Sequence, residues 1–122
     1  MNFQLLRHYC LQQKGAFEDF PFGPDTHVMK VANKMFALLS EKNEIPSISL
    51  KCDPIRSDVL RDTYEAVKPG YHLNKKHWNT VTIDGSISDE EIQSYIDHSY
   101  TLVFQSLRKS EREQLQIALL EK

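Results

Sequence analysis

Residues Ser47–Pro54 read Ser-Ile-Ser-Leu-Lys-Cys-Asp-Pro and join two kinds of local signal. The apolar residues Ile48, Leu50 and Cys52 alternate with polar ones, and a period of two predicts a β-strand with one buried face. The Asp-Pro pair that follows is a strong helix start, because Asp caps a first turn and Pro fits its first position. A half-buried strand that runs into a helix indicates a mixed fold.

The segments on both sides of this strand predict further strands and helices. Upstream, the expected elements are a helix at Asn2–Gln13, an irregular segment or short edge strand at Phe17–Pro24, and strands at Thr26–Ala32 and Lys34–Glu41 that turn at Asn33. Downstream, they are a helix from Asp53 to about Tyr64, a short strand within Val67–Leu73, a strand at Trp78–Ile83, and helices from Ser88 to about Leu107 and from Ser110 to Leu120, each opened by a capping box. The predicted architecture is α+β, an antiparallel sheet of about five or six strands with helices on one face, in a single domain of residues 1–122.

Side-chain patterns add expectations about burial. Val81 and Ile83 should face the core, which puts Trp78, Thr80 and Thr82 on the opposite sheet face with Ser49 and Lys51 if the registers match. The second helix should turn four residues inward: Ile55, Val59, Leu60 and Thr63. The three phenylalanines of Phe17–Pro24 should cover one rim of the core, and the adjacent Glu18 and Asp19 should be solvated.

Bulk composition limits the function classes. The chain has 122 residues, a formal net charge of −2 and a pI near 6.2, which argues against a general polyanion binder but leaves room for a local basic patch. Cys10 and Cys52 form no Cys-x-x-Cys pair, and free thiols fit a reducing cytoplasm. We find neither a signal-peptide pattern nor an apolar stretch long enough for a membrane span. The expected protein is cytoplasmic, without a membrane partner.

Catalytic and metal sites lack support in the sequence. His72 and His77 are five residues apart, so an extended chain places them on opposite faces, and no carboxylate or thiol lies near enough to complete a metal site. Cys10 and Cys52 occupy apolar faces, which is typical of inert buried thiols. Glycine-rich phosphate loops and nucleophile elbows are absent from the sequence. We therefore expect no enzyme activity, no cofactor and no metal.

One segment is rich in groups that bind anions. Between Val67 and Ile83 there is no acidic residue, while the segment contains Lys68, Tyr71, His72, Asn74, Lys75, Lys76, His77, Trp78 and Asn79. Across the sheet, Lys51 and either Lys30 or Lys34 can join them. Lysines for phosphates, with amides and aromatic planes beside them, are the ingredients of nucleic-acid recognition. An anionic small molecule or an acidic protein surface would use the same groups, and a well-packed turn with solvated lysines is the structural alternative.

The same residues resemble a known family. Ser49-Leu-Lys51 before a Pro-started helix, then Pro69-x-x-His-Leu-Asn-Lys-x-His-Trp-Asn-Thr-Val81, then Asp84-Gly-Ser86, are similar to the MmcQ/YjbR family over nearly the whole chain. The resemblance implies a CyaY-like (frataxin-like) fold and a DNA-binding role, a label that rests on similarity to double-wing modules. It does not extend to iron delivery, since frataxins use an acidic first helix and Asn2–Gln13 contains no acid.

Carried onto this sequence, the resemblance implies a set of DNA-contacting residues: Lys51, His72, Asn74, Lys75, Lys76, His77, Trp78 and Asn79. In this interpretation Lys51 and Lys75 contact phosphates, the two asparagines donate to backbone or base edges, and Trp78 stacks or wedges. In the structural alternative the asparagines fix a turn through side-chain-to-backbone hydrogen bonds, and His72 and Trp78 belong to the core. A concave pocket lined by these residues would favour a small ligand, and a convex basic stripe would favour DNA.

Overall fold

The computed structural model describes residues 1–70 and 73–120. Its helices are α1 (Phe3–Leu11), α2 (Pro54–Thr63), α3 (Asp89–Ser106) and α4 (Lys109–Leu120). Its strands are β1 (Ala16–Asp19), β2 (His27–Val31), β3 (Lys34–Lys42), β4 (Ile45–Lys51), β5 (Val67–Pro69) and β6 (Trp78–Thr82). Within these ranges, no helix is both long and apolar enough to cross a bilayer.

The described strands form one antiparallel sheet in the order β1-β2-β3-β4-β6-β5. The chain leaves β4 through α2, adds β5 at the edge, and returns with β6 between β5 and β4. α1 contacts β1 and β3, α3 contacts β3 and β4, and α2 contacts β5. The predicted α+β class, with an antiparallel sheet and helices beside it, is confirmed.

Alternation along β4 separates the two faces of the sheet. Ile48 and Leu50 are buried in the core, whereas Ser47, Ser49 and Lys51 are only half-buried on the other face, which we call the open face. The β4–β6 register places Ser49 opposite Thr80 and Lys51 opposite Trp78. The predicted sharing of the open face by these residues is therefore confirmed, as is the burial of Val81 and Ile83.

Helix starts follow the caps predicted from the sequence, with one exception. The Asp53 carboxylate accepts hydrogen bonds from the backbone N–H groups of Ile55 (3.0 Å) and Arg56 (3.3 Å). Ser88 caps α3 in the same way. The last helix begins at Lys109, so the cap position is Arg108, two residues before the predicted cap at Ser110; the Glu111 side chain accepts from the N–H of Arg108 at 3.2 Å, as in a capping box.

The β2–β3 hairpin turn uses another residue than expected, whereas the β3–β4 turn falls within Lys42–Glu44 as the sequence predicts. Between β2 and β3 the left-handed conformation belongs to Ala32 (φ 54°) and not to Asn33. Between β3 and β4, Asn43 and Glu44 both have positive φ, 53° and 66°, as a two-residue type I′ turn requires. This turn matches the twist of the flanking strands, and it brings β3 and β4 into the register that defines the open face.

Two burial predictions are wrong. In α2, Ile55 is 79% and Val59 58% exposed, Thr63 is exposed and Leu60 only half-buried. The side of α2 that carries Ser57 and Arg61 faces the sheet instead, because Arg61 hydrogen-bonds to β6. The phenylalanines of Phe17–Pro24 are also exposed and do not cover the core rim, since β1 is an edge strand.

Candidate functional site

Asn74–His77 form an exposed turn before β6 that we call the lysine turn. Asn74 organises it: its side-chain Oδ1 accepts from the N–H of Lys76 at 3.0 Å, and its backbone carbonyl accepts from the N–H groups of His77 (3.1 Å) and Trp78 (3.0 Å). The amide oxygen of Asn74 thus has a local structural role, as in an Asx turn. The lysine turn holds the side chains of Lys75 and Lys76 out into solvent.

Arg61 of α2 connects the lysine turn to the rest of the fold through hydrogen bonds. Its Nε donates to Oδ1 of Asn79 at 2.7 Å, and its Nη2 donates to the carbonyls of Trp78 (3.2 Å) and Lys75. A planar guanidinium can satisfy several acceptors from one rigid group, which a lysine cannot do. The sequence interpretation did not include Arg61, and its position in the last turn of α2, just before β5, is the only local signal for this role.

The predicted site residues divide into exposed and buried groups. Asn74, Lys75 and Lys76 are exposed, and Lys51 and His77 are half-buried. His72 lies outside the described residues. Trp78 is 8% and Asn79 3% exposed, so neither presents its side chain to solvent.

The two buried residues have identifiable packing. Trp78 lies over Gly70, where an added Cβ would sit 2.7 Å from the Trp78 Cβ. Asn79 pairs with Leu50 on the core side of the sheet, and its Nδ2 group has no hydrogen-bond partner among the described residues. The burial of Trp78 agrees with the structural alternative. Asn79 is buried too, but its side chain bonds the guanidinium of Arg61 and not a backbone group of the turn.

The end of the sheet beside the lysine turn carries several uncompensated positive charges. Within the described residues, no carboxylate lies within ion-pair distance of Lys51, Lys68, Lys75 or Lys76. Lys51 and Lys68 also share the open face, because they pair with Trp78 and Thr80 in the two registers around β6. Lys30 and Lys34 are engaged elsewhere, with Asp19 and Ser106 respectively.

The opposite end of the sheet contains a paired carboxylate. Glu18 on β1 accepts from Nε and Nη2 of Arg7, both at 2.8 Å, and its Oε2 lies 2.9 Å from Nδ1 of His27. These contacts, led by the Arg7 hydrogen bond, lower the pKa of Glu18. The expectation that Glu18 is solvated is wrong, because α1 brings Arg7 across the edge strand; Asp19, likewise expected to be solvated, pairs with Lys30 at 3.0 Å.

Both cysteine thiols are buried in the fold. Burial raises the pKa of the Cys10 thiol to about 12, which leaves it protonated and unreactive. Cys52 is a second buried free thiol. In the ranges 1–70 and 73–120, no three His, Cys, Asp or Glu side chains group closely enough to hold a metal ion.

The open face also contains a cavity that the sequence interpretation missed. A trough of about 720 Å³ runs over β3, β4 and β6, bounded by Phe22, Ile45 and Leu73, with serine and threonine side chains on its floor. Of the predicted site residues in the described ranges, none lines this trough. The alternating serines of β4 and threonines of β6 are the sequence signal for its floor. Phe22 and Leu73, at two of its boundaries, come from loops whose path the sequence pattern does not predict.

Comparisons with known proteins show which proteins this chain is similar to. The family model YjbR matches residues 11–102. The Escherichia coli O157:H7 protein YbdF is 40% identical over 96 residues, 79% of each chain, and YjbR of E. coli K12 is 34% identical over 115 residues, 94% of this chain and 98% of that one.

Solved structures show the same fold. The crystal structure of a Deinococcus radiodurans protein with a DUF419 domain has a TM-score of 0.84 at 39% identity, covering 91% of this chain and 85% of that one. A Pseudomonas syringae crystal structure has a TM-score of 0.74 at 30% identity, covering 84% and 98%. At these identities the agreement extends to sequence as well as fold.

Proposed function

The chain belongs to the YjbR family, and from this premise and the exposed charges of the lysine turn we propose that it is a non-catalytic DNA-binding protein. Lys75 and Lys76 contact phosphates, and Lys51 and Lys68 extend the contact along the adjoining open face. The proposal has three further parts: the fold is CyaY-like, it is similar to double-wing DNA-binding modules, and the protein is cytoplasmic. The two free, buried thiols support the cytoplasmic location.

The proposal depends mainly on one observation: a rigid turn supports two lysines, Lys75 and Lys76, that form no ion pair with any described residue. Asn74 and Arg61 fix the backbone of the lysine turn, so its ammonium groups are presented from a preorganised loop. Preorganisation lowers the entropy lost on binding, and lysines without acidic neighbours remain available to phosphates. The turn projects outside the trough, as expected of a surface that contacts an extended polyanion.

Burial of Trp78 and Asn79 changes the roles that the family resemblance implied for them. With side chains 8% and 3% exposed, they support the lysine turn, and base stacking or base-edge contacts are not part of the proposal. DNA recognition then depends mainly on phosphates and shows little base preference. With a net charge of −2, binding should be weak and salt-sensitive.

The test is the fluorescence anisotropy of a labelled DNA duplex, titrated with wild type and with the double variant Lys75→Ala/Lys76→Ala at several salt concentrations. The double variant should bind about tenfold more weakly at low salt, and its slope of log K against log salt should be smaller by about 2, one for each lost phosphate contact. The matched control is Lys14→Ala/Lys109→Ala, which removes the same charge from exposed positions away from the lysine turn.

Equal losses in the two double variants would show that only net charge matters and would contradict a site at the lysine turn. Absence of wild-type binding at low salt, with tens of micromolar protein, would rule out DNA as the ligand. Competition with poly-glutamate identifies the alternative partner: displacement of DNA by equal charge concentrations would indicate an acidic protein surface as the natural ligand.

A further inference from the structure

The trough on the open face has the dimensions of a small-molecule site. Its volume of about 720 Å³ lies within the roughly 300–1,000 Å³ range of ligand pockets. Phe22 stands at one boundary and Leu73 at another, so the sheet forms a floor and the loops form walls. A concave surface of this size encloses a molecule rather than presenting a flat area to a protein.

The floor offers hydrogen-bonding hydroxyl groups. The Oγ atoms of Ser40 and Ser47 lie 3.1 Å apart, and Ser49 Oγ lies 2.8 Å from Thr80 Oγ1. When two hydroxyls share one hydrogen bond, the accepting hydroxyl keeps its own hydrogen for another acceptor. The Ser40–Ser47 pair, joined across β3 and β4, can therefore donate to a carbonyl or hydroxyl oxygen in the trough.

The walls are apolar and unusually exposed. Phe22 is 62% and Ile45 50% exposed, and Leu73 adds partly buried aliphatic surface, while Leu38 of β3, opposite Ser49, adds an aliphatic group to the floor. Covering these side chains would remove apolar area from water, the main source of favourable free energy for a ligand in such a site. An apolar wall above a floor of hydroxyls suits a ligand with a few polar atoms on one side.

The charges of the residues that line the trough limit further the class of ligand that it can bind. Among the described residues that line the trough, Lys42 is the single charged one, and it belongs to the β3–β4 hairpin end. Among the described lining residues, neither an anion nor a cation would find a buried counter-charge. We propose that the trough binds one neutral, largely apolar small molecule with a carbonyl or hydroxyl group directed at Ser40 and Ser47. This site is separate from the lysine turn.

The experiment uses the neutral, carbonyl-containing dye Nile red as the probe, because its emission rises when it enters an apolar site. Titration of the full chain should give saturable binding of one dye per chain. Phe22→Ser removes a wall of the trough and should weaken binding by about five- to tenfold. Ile55→Ser removes a side chain that is still more exposed, at 79%, but lies on α2, and should change binding less than twofold.

A second variant tests the floor. Ser47→Leu places a larger side chain at a half-buried position facing the trough, and it should abolish saturable binding with the circular dichroism spectrum unchanged. Equal weakening by Phe22→Ser and Ile55→Ser, or binding of several dyes without saturation, would overturn the proposal in favour of nonspecific adsorption. A dimer in sedimentation that dissociates on Phe22→Ser would overturn it in favour of a second copy of this chain.

Discussion

The two ends of the sheet are each held by an arginine from a helix, but the partners of the two arginines differ. At the β1 end, Arg7 of α1 forms a two-point ion pair with the carboxylate of Glu18. At the β5–β6 end, Arg61 of α2 binds neutral oxygens, the side-chain Oδ1 of Asn79 and the carbonyls of Lys75 and Trp78. The charge of Arg7 is compensated by a carboxylate, whereas no carboxylate of the described residues pairs with Arg61.

The difference separates a structural ion pair from a candidate binding surface. At the β1 end the charges of Arg7 and Glu18 cancel, which stabilises the edge strand without attracting a charged partner. At the other end Arg61 organises a turn and adds its own charge beside Lys75 and Lys76. A guanidinium that donates to neutral acceptors keeps its positive field, so the same kind of side chain both builds the lysine turn and increases its attraction for phosphates.

The largest expected effect comes from removing the uncompensated arginine. Arg61→Ala deletes three hydrogen bonds and leaves the buried Oδ1 of Asn79 without its donor, in a residue whose Nδ2 already has no acceptor in the described part of the chain. We expect a loss of about 3 kcal/mol in the free energy of unfolding, since an unsatisfied buried polar group adds its desolvation cost to the lost bonds. Urea unfolding followed by circular dichroism measures it.

Two further variants test whether the loss of stability in Arg61→Ala is specific to the hydrogen bonds of its guanidinium. Arg61→Lys keeps the charge but not the fork of donors, so it should recover less than half of the lost stability. Arg108→Ala removes an exposed arginine paired with Glu111 and should cost less than about 0.5 kcal/mol. If Arg61→Ala were as mild as Arg108→Ala, the contrast between the two ends of the sheet would have no energetic basis.

A somewhat smaller effect is expected where Trp78 packs beside the lysine turn. In Gly70→Ala, the new Cβ would lie 2.7 Å from the Cβ and 3.0 Å from the carbonyl oxygen of Trp78, and backbone at that distance cannot move aside easily. Overpacking of this kind costs about 2 kcal/mol. Thermal unfolding would show it together with a shift in Trp78 fluorescence.

Gly23→Ala supplies the comparison for this variant. Gly23 has a φ of 106°, and a Cβ added there would meet no atom within 4 Å, so the variant reports conformational strain alone, about 1 kcal/mol. A Gly70→Ala variant as stable as wild type would mean that Gly70 and Trp78 can separate. The buried position of Trp78 would then not be part of the support for the lysine turn.

The sequence predicted the sheet better than the site, for a physical reason. Alternation in Ser47–Cys52 reports directly which side chains are buried, so the polar composition of the open face followed from it, whereas the register that pairs Lys51 with Trp78 came only from the structure. In α2 the apolar spacing of Ile55 and Val59 was misleading, because the polar contacts of Arg61 set the orientation of the helix. Local hydrophobic periodicity carries no information on such a distant hydrogen bond.

The prediction of site residues from the sequence was limited in the same way. The composition of Val67–Ile83 indicated a candidate binding segment, but the division between exposed lysines and buried supports depends on contacts with α2 and Gly70. The trough depends on where Phe22 and Leu73 come to lie, and these residues are about fifty positions apart in the chain. Conversely, Glu18 was misassigned because its partner Arg7 lies on another element.

The smallest effect is expected at the β1 end of the sheet, where Arg7 pairs with Glu18. It is also the effect that depends on pH. Glu18→Gln removes the anion between Arg7 and His27 and should cost about 1 kcal/mol near neutral pH, at the low end for charged hydrogen bonds because Arg7 is partly exposed. The pKa of Glu18 is lowered in the folded protein, so its carboxylate contributes stability above the ordinary pKa of about 4.3. That contribution is lost as the pH falls through the folded pKa.

Urea unfolding of wild type and Glu18→Gln between about pH 7 and pH 3 measures this dependence. The difference between them should stay constant down to about pH 5 and then shrink, whereas the Arg61→Ala difference should persist, since Arg61 binds no titrating group among the described residues. Glu65→Gln, at an exposed carboxylate, is the control and should have little effect at any of these pH values. A Glu18→Gln difference that persisted to about pH 3 would show that the edge strand needs the shape of Glu18 and not its charge.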